Sequence, residues 1–335
     1  MTQCANELYI KTPAICTQSG NQRIDYYWGM KKLLIFSGVF LAGILGFTDP
    51  ANYSGKSKKQ GADIPHPWEY KTLLWKISSK GLSAPSYLFG TMHILCSEDA
   101  RLSDSLKMAI QHCEEIYFEI NLDDLNGMLN SMKYMRMKDN KTLADLLKPA
   151  DYAKVKSYFN NQGTILPFSM LERFKPLLIS SLIEENGLDC KLTNGMELII
   201  LTEAHSRSKK INGLETAAFQ AGLFDSIPYE QQAHDLVNYI DSLDYYKKMT
   251  SELVDTYKSQ DLDKIDELTR TGDASIGNNI NLLLYDRNRK WVDSLNLILP
   301  SRSILIAVGA AHLPGENGLI NLLRRKGFEL TPINN

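Results

Sequence analysis

The chain lacks most of the signatures that announce a function outright. Its 37 lysines and arginines are balanced by 39 aspartates and glutamates, for a net charge of -2. That balance leaves no electrostatic footprint for nucleic acid, and no nucleic-acid partner is expected. There is no Gly-x-x-x-x-Gly-Lys loop to cradle a phosphate, and no His-Glu-x-x-His, so the chain is not a zincin. Its 5 cysteines include no Cys-x-x-Cys pair, which argues against a zinc ribbon or a disulfide framework. Cys96, Cys113 and Cys190 fall in the folded body. One pair is able to oxidise in a permissive compartment, but the odd count makes free, buried thiols the expectation. No apolar run reaches the about 20 residues that a spanning helix needs.

What is present is a repeated word. Ser86-Tyr-Leu-Phe-Gly-Thr-Met-His93 has a counterpart more than 200 residues on, Ile304-Leu-Ile-Ala-Val-Gly-Ala-Ala-His312. Each is an apolar, β-branched or aromatic run of strand length, followed by Gly, two residues and His. The Gly permits a tight turn or a close backbone approach where the strand ends. The His then stands at a strand terminus, aimed by a rigid scaffold. A single such His is ordinarily a hydrogen-bonded structural residue; two in matching contexts point to two imidazoles converging on one site.

Residues 1–29 show no periodic apolar pattern. From Met30 two lysines precede about fifteen apolar or small residues, the n- and h-regions of a secretory signal. Export to the periplasm or envelope is therefore expected, with translation starting at Met30. The Gly46-x-Thr48 cleavage site is poor, which leaves open an uncleaved anchor and membrane association through residues 33–47. Residues 49–70, rich in Ser, Lys, Gly and Pro, form a linker. With 335 residues at 44% hydrophobic content, the body over 71–333 is long enough for a substantial core.

Within that body Leu73–Ile77 and Tyr87–Gly90 form a hairpin. Ser97-Glu-Asp99 caps a helix running to about Cys113, and Ile116–Ile120 follows as a strand. That strand carries Glu119 in a run otherwise fit for burial. A buried carboxylate is costly unless paired or metal-bound, so Glu119 is either a site residue or an edge-strand acid facing water. Residues 122–208 are largely helical, with Met128, Met132, Met135 and Met137 on a packed or lipid-facing face and one long helix over Leu188–His205. His205, at the end of that helix among basic residues, has ordinary dipole and solvent chemistry. Lys210–Glu215 is a short strand before a helix over Thr216–Phe224. Helices continue to about Leu268, and Asn279–Leu297 sets Arg287 and Trp291 four apart on one face. Ser303–Val308 is the last buried strand, and Phe328–Pro332 closes the sheet at its edge. The fold class is α/β (α+β): a small mixed β-sheet built from the N- and C-terminal parts of the body, with a large helical middle segment.

In this order the residues resemble the TraB/GumN/Tiki family. The resemblance rests on Gly90-Thr-Met-His93, Glu119, Gly187-Leu-Asp189, Gly213-Leu-Glu-Thr-Ala-Ala-Phe-Gln220, Arg287-Asn288 and Gly309-Ala-Ala-His-Leu-Pro-Gly315 with Gly318-Leu-Ile-Asn-Leu-Leu323. It covers about Leu73 to Ile333. It implies a metal-dependent hydrolase core, protease-like as in the Tiki members, with a fold similar to erythromycin esterases. His93 and His312 correspond to its motif histidines, Glu119 to its buried acid, and Glu215 and Arg287 to two further recurrent polar positions. Manganese, cobalt or zinc is the divalent metal it implies.

The chemistry of those residue types is compatible. Two imidazoles and a carboxylate suit such a metal and leave a position for water. Glu215 is either a general base or a partner that orients a His ring. Arg287 stabilises an oxyanion, clamps a substrate carboxylate, or makes a salt bridge to a nearby acid. The expected function is an exported metal-dependent hydrolase, a metalloprotease acting on a peptide or protein substrate. Against it stand a metal-independent esterase-like hydrolase with His as general base, and a non-catalytic envelope protein that binds a peptide or signal.

Overall fold

The computed structural model describes residues 71–82, 84–162, 166–185, 188, 190, 192–271 and 279–335. The extension, the signal or anchor and the linker assigned to residues 1–70 lie outside the described residues, as do Gly187 and Asp189. Among the described residues no helix is long and apolar enough to cross a membrane.

The described residues form eight strands: β1 Leu74–Ser78, β2 Ser86–Thr91, β3 Leu95–Cys96, β4 Glu115–Ile120, β5 Thr193–Asn194, β6 Lys210–Glu215, β7 Ile304–Gly309 and β8 Glu329–Ile333. Six make one mixed sheet in the order β6-β4-β7-β2-β1-β8, and β3 pairs with β5 in a small second sheet. β6, β4, β7 and β2 run parallel to one another, while β1 and β8 add antiparallel strands at the other side. The sequence explains the division. β4 and β7 are buried at every position, as a parallel strand covered on both faces must be. β8 carries Pro332 at the sheet's edge, where a missing N–H is tolerated.

The mixed sheet and helical middle are as expected, and most differences lie in element boundaries. Glu119 is not an edge residue: β4 is paired on both sides and the side chain is 6% exposed. The first helix spans Asp104–His112 with Ser103 as its cap, because residues 97–100 are held in a turn by Asp99 N–H and Ala100 N–H donating to Cys96 O. The long helix assigned from Leu188 starts only at Met196. Its expected first turns are drawn into β5, where Leu95 pairs with Asn194 and Cys96 with Thr193, and a Cys96–Cys190 disulfide fastens the same segment. That disulfide corrects the expectation of free thiols; Cys113 alone among the described cysteines is free, and it is buried.

Pro176 opens the helix Pro176–Glu185, separate from the short helix Phe168–Leu171, because proline is tolerated at the first helical position. Met128, Met135 and Met137 are core residues. His205 faces Asp123 at 2.9 Å in a partly exposed pair. The helix Asp286–Ile298 follows a π-helical turn over Asn281–Tyr285 and buries Arg287, Asn288 and Trp291 against the sheet's end.

Candidate active site

Four parallel strands end on one edge of the sheet, and the side chains singled out in the sequence cluster there. Thr91 of β2 lies opposite Gly309 of β7, so the two Gly-x-x-His segments leave the sheet side by side. Ile120 of β4 lies opposite Glu215 of β6, which brings the two acids to the same edge. Gly90 is needed for this convergence, since a Cβ there would come within 3.1 Å of the Ala310 backbone. Carboxyl ends of parallel strands are where open α/β sheets form their crevices.

Arg287 is the hub of the buried part. Its Nε and Nη2 donate to Glu215 Oε1 at 3.0 and 2.7 Å, and Nη2 also donates to Glu119 Oε2 at 2.5 Å. Nη1 donates to Leu283 O at 2.8 Å and lies 3.3 Å from His312 Nε2. A guanidinium has five N–H groups, and these contacts engage the whole fork. The acids are equally occupied. Glu119 accepts from Gln220 Nε2 at 3.0 Å and, through Oε1, from the Gly309 backbone N–H at 2.9 Å. Glu215 Oε2 accepts from Trp291 Nε1 at 3.0 Å.

His312 is completely buried, with Nδ1 2.6 Å from Asn288 Oδ1. Asn288 is itself fixed, donating to the carbonyls of His312 and Asn317. Nδ1 therefore carries the proton, and bare Nε2 accepts from Arg287. Burial, with the Arg287 charge alongside, drives this imidazole well below its usual pKa, so it stays neutral. Trp291 packs on its ring with centroids 4.5 Å apart.

His93 is in a different situation. Its Nδ1 lies 2.9 Å from Glu197 Oε1, and its Nε2 is buried with no hydrogen-bond partner. Burial alone would lower its pKa, but Glu197, with a smaller contribution from Glu119, outweighs burial and raises it. Glu197 is held below the usual carboxylate range although burial works against ionisation; His93 supplies most of the compensation. His93 lines a cleft of about 70 Å³ whose walls also include Thr91, Met92, Leu253, Tyr257, Gly309 and Ala311. Both Gly-x-x-His segments thus line one cleft. Tyr257 ties the helical middle to it by donating to the Gly90 carbonyl at 3.0 Å.

The structure thus brings Glu119, Glu215, Arg287 and His312 into direct contact and sets His93 at the neighbouring cleft with its own carboxylate. Glu197 and Tyr257 were missed in the sequence, and Asn288 and Gln220 had been quoted without a role. Glu197 was hidden because it sat inside an assumed long helix; the Gly195 two residues before it was the available signal of a helix start.

A divalent metal on His93, Glu119 and His312 was tested against this geometry. The orphaned Nε2 of His93 has the chemistry of a ligand. His312 does not fit beside it as arranged, because Arg287 occupies its Nε2 and Asn288 its Nδ1, and Glu119 is already committed to Arg287, Gln220 and the Gly309 N–H. Among the described residues no three His, Cys, Asp or Glu side chains are grouped to hold a metal ion.

A cleft at the carboxyl edge of a parallel sheet, with an imidazole in its wall and a buried ion cluster beside it, is the class of site this fold defines. The particular family follows from comparison: the model of the TraB/PrgY/gumN family matches residues 73–332, and the chain belongs to that family. Metalloprotease TIKI1 of Danio rerio is 23% identical over 319 residues, covering 78% of this chain and 63% of that protein. Metalloprotease TIKI homolog of Amphimedon queenslandica is 24% identical over 314 residues, covering 77% of this chain and 60% of that protein. Metalloprotease TIKI1 of Homo sapiens is 21% identical over 322 residues, covering 79% and 63%. The chain thus spans somewhat less than two thirds of the length of these relatives. No solved structure matches it.

Proposed function

We propose that the chain is a Tiki-like hydrolase of peptide or protein substrates, with His93 as its working imidazole. The observation that carries this reading is the buried, unpartnered Nε2 of His93, a residue in the wall of a cleft lined by both Gly-x-x-His segments. The relatives' shared description as metalloproteases supports the reaction class. A water held at Nε2 would give up a proton as its oxygen attacks the scissile carbonyl. The imidazolium would return that proton to the departing amine, so the amide bond breaks with no other reactant consumed. A pKa raised above the usual imidazole value suits a group that must both take and return a proton near neutral pH.

Arg287 and Glu215 have a scaffold role in this reading. With the guanidinium fork and both Glu215 oxygens engaged, neither offers a group to substrate; together they lock Glu119 and His312 under the cleft. The relatives' names favour a second reading, in which manganese, cobalt or zinc assists the same hydrolysis. Export is part of the proposal, since the Cys96–Cys190 disulfide suits an oxidising compartment such as the periplasm, with residues 33–47 as signal or anchor.

The test is turnover of a fluorogenic peptide library by the purified full chain and its His93→Gln variant, with and without exhaustive chelation, alongside elemental analysis. Turnover lost in His93→Gln and kept after chelation supports the imidazole reading. Turnover lost after chelation and restored by one metal selects the metal-assisted form. Full turnover in His93→Gln would overturn both.

A further inference from the structure

Histidine at a reaction centre has two ring nitrogens, and its usefulness depends on which one is bare. In this chain that choice has a structural author outside both Gly-x-x-His segments. We infer that Glu197 is the positioning residue of His93: its carboxylate accepts from Nδ1–H, which keeps the proton on Nδ1 and leaves Nε2 bare for the cleft. The inference rests on the reading of His93 as the working imidazole.

Three independent features support it. The first is distance and burial. Glu197 Oε1 is 2.9 Å from His93 Nδ1, with side chains only 13% and 17% exposed. A carboxylate so far removed from water needs a compensating cation or donor. Neither Glu197 oxygen has a fully aligned hydrogen bond, so the compensation comes from the imidazole at ion-pair distance, with the Thr91 hydroxyl as a lesser partner.

The second is backbone construction. Met196 N–H donates to Met92 O at 3.0 Å, stitching the start of the Glu197 helix to the His93 segment. Immediately beyond, β3 and β5 pair antiparallel, and the Cys96–Cys190 disulfide closes the same corner. The 92–96 segment is thus fastened to the chain from Cys190 to Met196 by a backbone hydrogen bond, a strand pairing and a disulfide. That is far more than is needed to bring together two side chains with no shared task.

The third is Gly195. A Cβ at this position would lie 2.7 Å from the His93 carbonyl oxygen and 2.9 Å from Glu197 Oε2. Its φ of −89° requires no glycine, so what the position demands is space between the two segments. A hydrogen atom there is what lets the His93 backbone and the Glu197 carboxylate approach.

The second histidine shows the same logic with a different partner. Asn288 sets the His312 ring by the same nitrogen, Nδ1, but its Nε2 is closed off by Arg287. The neutral amide serves a structural imidazole. A carboxylate serves the open one, because only a charge can stabilise the imidazolium that proton transfer creates.

The experiment is two-bond ¹H–¹⁵N spectroscopy of the full chain labelled at histidine, above the imidazole titration range, with His93 assigned by loss of its signals in His93→Gln. The expected result is an Nδ1–H tautomer of His93 in the wild type. Glu197→Met should convert it to a mixture rich in Nε2–H. Glu197→Gln should keep Nδ1–H but move its proton upfield, since a neutral acceptor binds it less strongly. An Nε2–H tautomer in the wild type overturns the inference even if Glu197→Met fails to fold, and so does an unchanged His93 spectrum in Glu197→Gln. On a turned-over peptide, Glu197→Met should lose about 10- to 100-fold in kcat with KM little changed. The two levels fail separately: no peptide turnover by the wild type sinks the proposed function, whereas the tautomer reports on Glu197 alone.

Discussion

Arg287 Nη2 and Glu119 Oε2 meet at 2.5 Å, with side chains 3% and 7% exposed, joining a helix to an interior strand of the sheet. Removing one partner of such a pair leaves an uncompensated buried charge, which costs about 3–5 kcal/mol. Arg287→Leu strands both Glu119 and Glu215 and is expected to fall at or above that range in urea unfolding. Arg287→Lys restores a charge but not the fork, and should recover only part of the loss. An Arg287→Leu protein as stable as the wild type would show that the acids are satisfied by other donors.

Gly195→Ala tests the close approach of the two segments at His93. The backbone at residue 195 is ordinary, so unfolding stability should change little beyond the local displacement. The imidazole should shift, and a misplacement of about 1 Å can cost up to about 10²-fold in turnover. Peptide turnover measured beside thermal unfolding separates the two effects; a large stability loss with unchanged turnover per folded molecule would contradict this account.

Asp225 gives the molecule a pH-dependent contribution well away from the cleft. Burial would raise its pKa, but Lys175, Tyr229 and Lys138 outweigh burial and hold it below the usual carboxylate value. Lys175, 1% exposed, lies 2.7 Å from Asp225 Oδ1 and also donates to Ala221 O. A carboxylate whose folded pKa is depressed contributes stability that is present above its unfolded value, about 3.9, and lost as pH falls through the folded value. Asp225→Asn should therefore be less stable at neutral pH and lose less on acidification. Urea midpoints from pH 7 down to about 3 check this: parallel curves for the two proteins would remove Asp225 from the acid response.

The Cys96–Cys190 bridge spans 94 residues of chain. Replacing both cysteines by Ser should cost about 2–4 kcal/mol, the usual worth of a native disulfide. The loss should be visible locally as faster amide exchange in β3 and β5, the two-residue strands that the bridge secures. Equal protection with and without the bridge would mean that the β3–β5 pairing holds itself.

How much of this was legible beforehand depended on the range of the interactions involved. The strands carrying the two Gly-x-x-His words were readable because a fully buried parallel strand writes an unbroken apolar run, and the odd acid at 119 stood out against it. What could not be read were the partners. Glu119 looked like a ligand because a lone sequence shows a buried charge without showing the guanidinium that compensates it from 168 residues away. Glu197 was overlooked for the converse reason. An acid in a helical stretch is ordinarily solvated, and only the β3–β5 pairing and the disulfide, both long-range, reveal that its helix starts late and faces His93.

β7 occupies the central slot between β4 and β2, yet it is the last of the four parallel strands to leave the ribosome. Until it inserts, the sheet exists as two separate halves with exposed edges, and the cleft lacks the wall formed by Gly309, Ala310 and Ala311. A chain interrupted between Glu197 and Ile304 would therefore have His93 and Glu197 but no finished cleft. Its unpaired β4 and β2 edges would be open to aggregation. The order of synthesis thus leaves the cleft incomplete until nearly the whole body has been made.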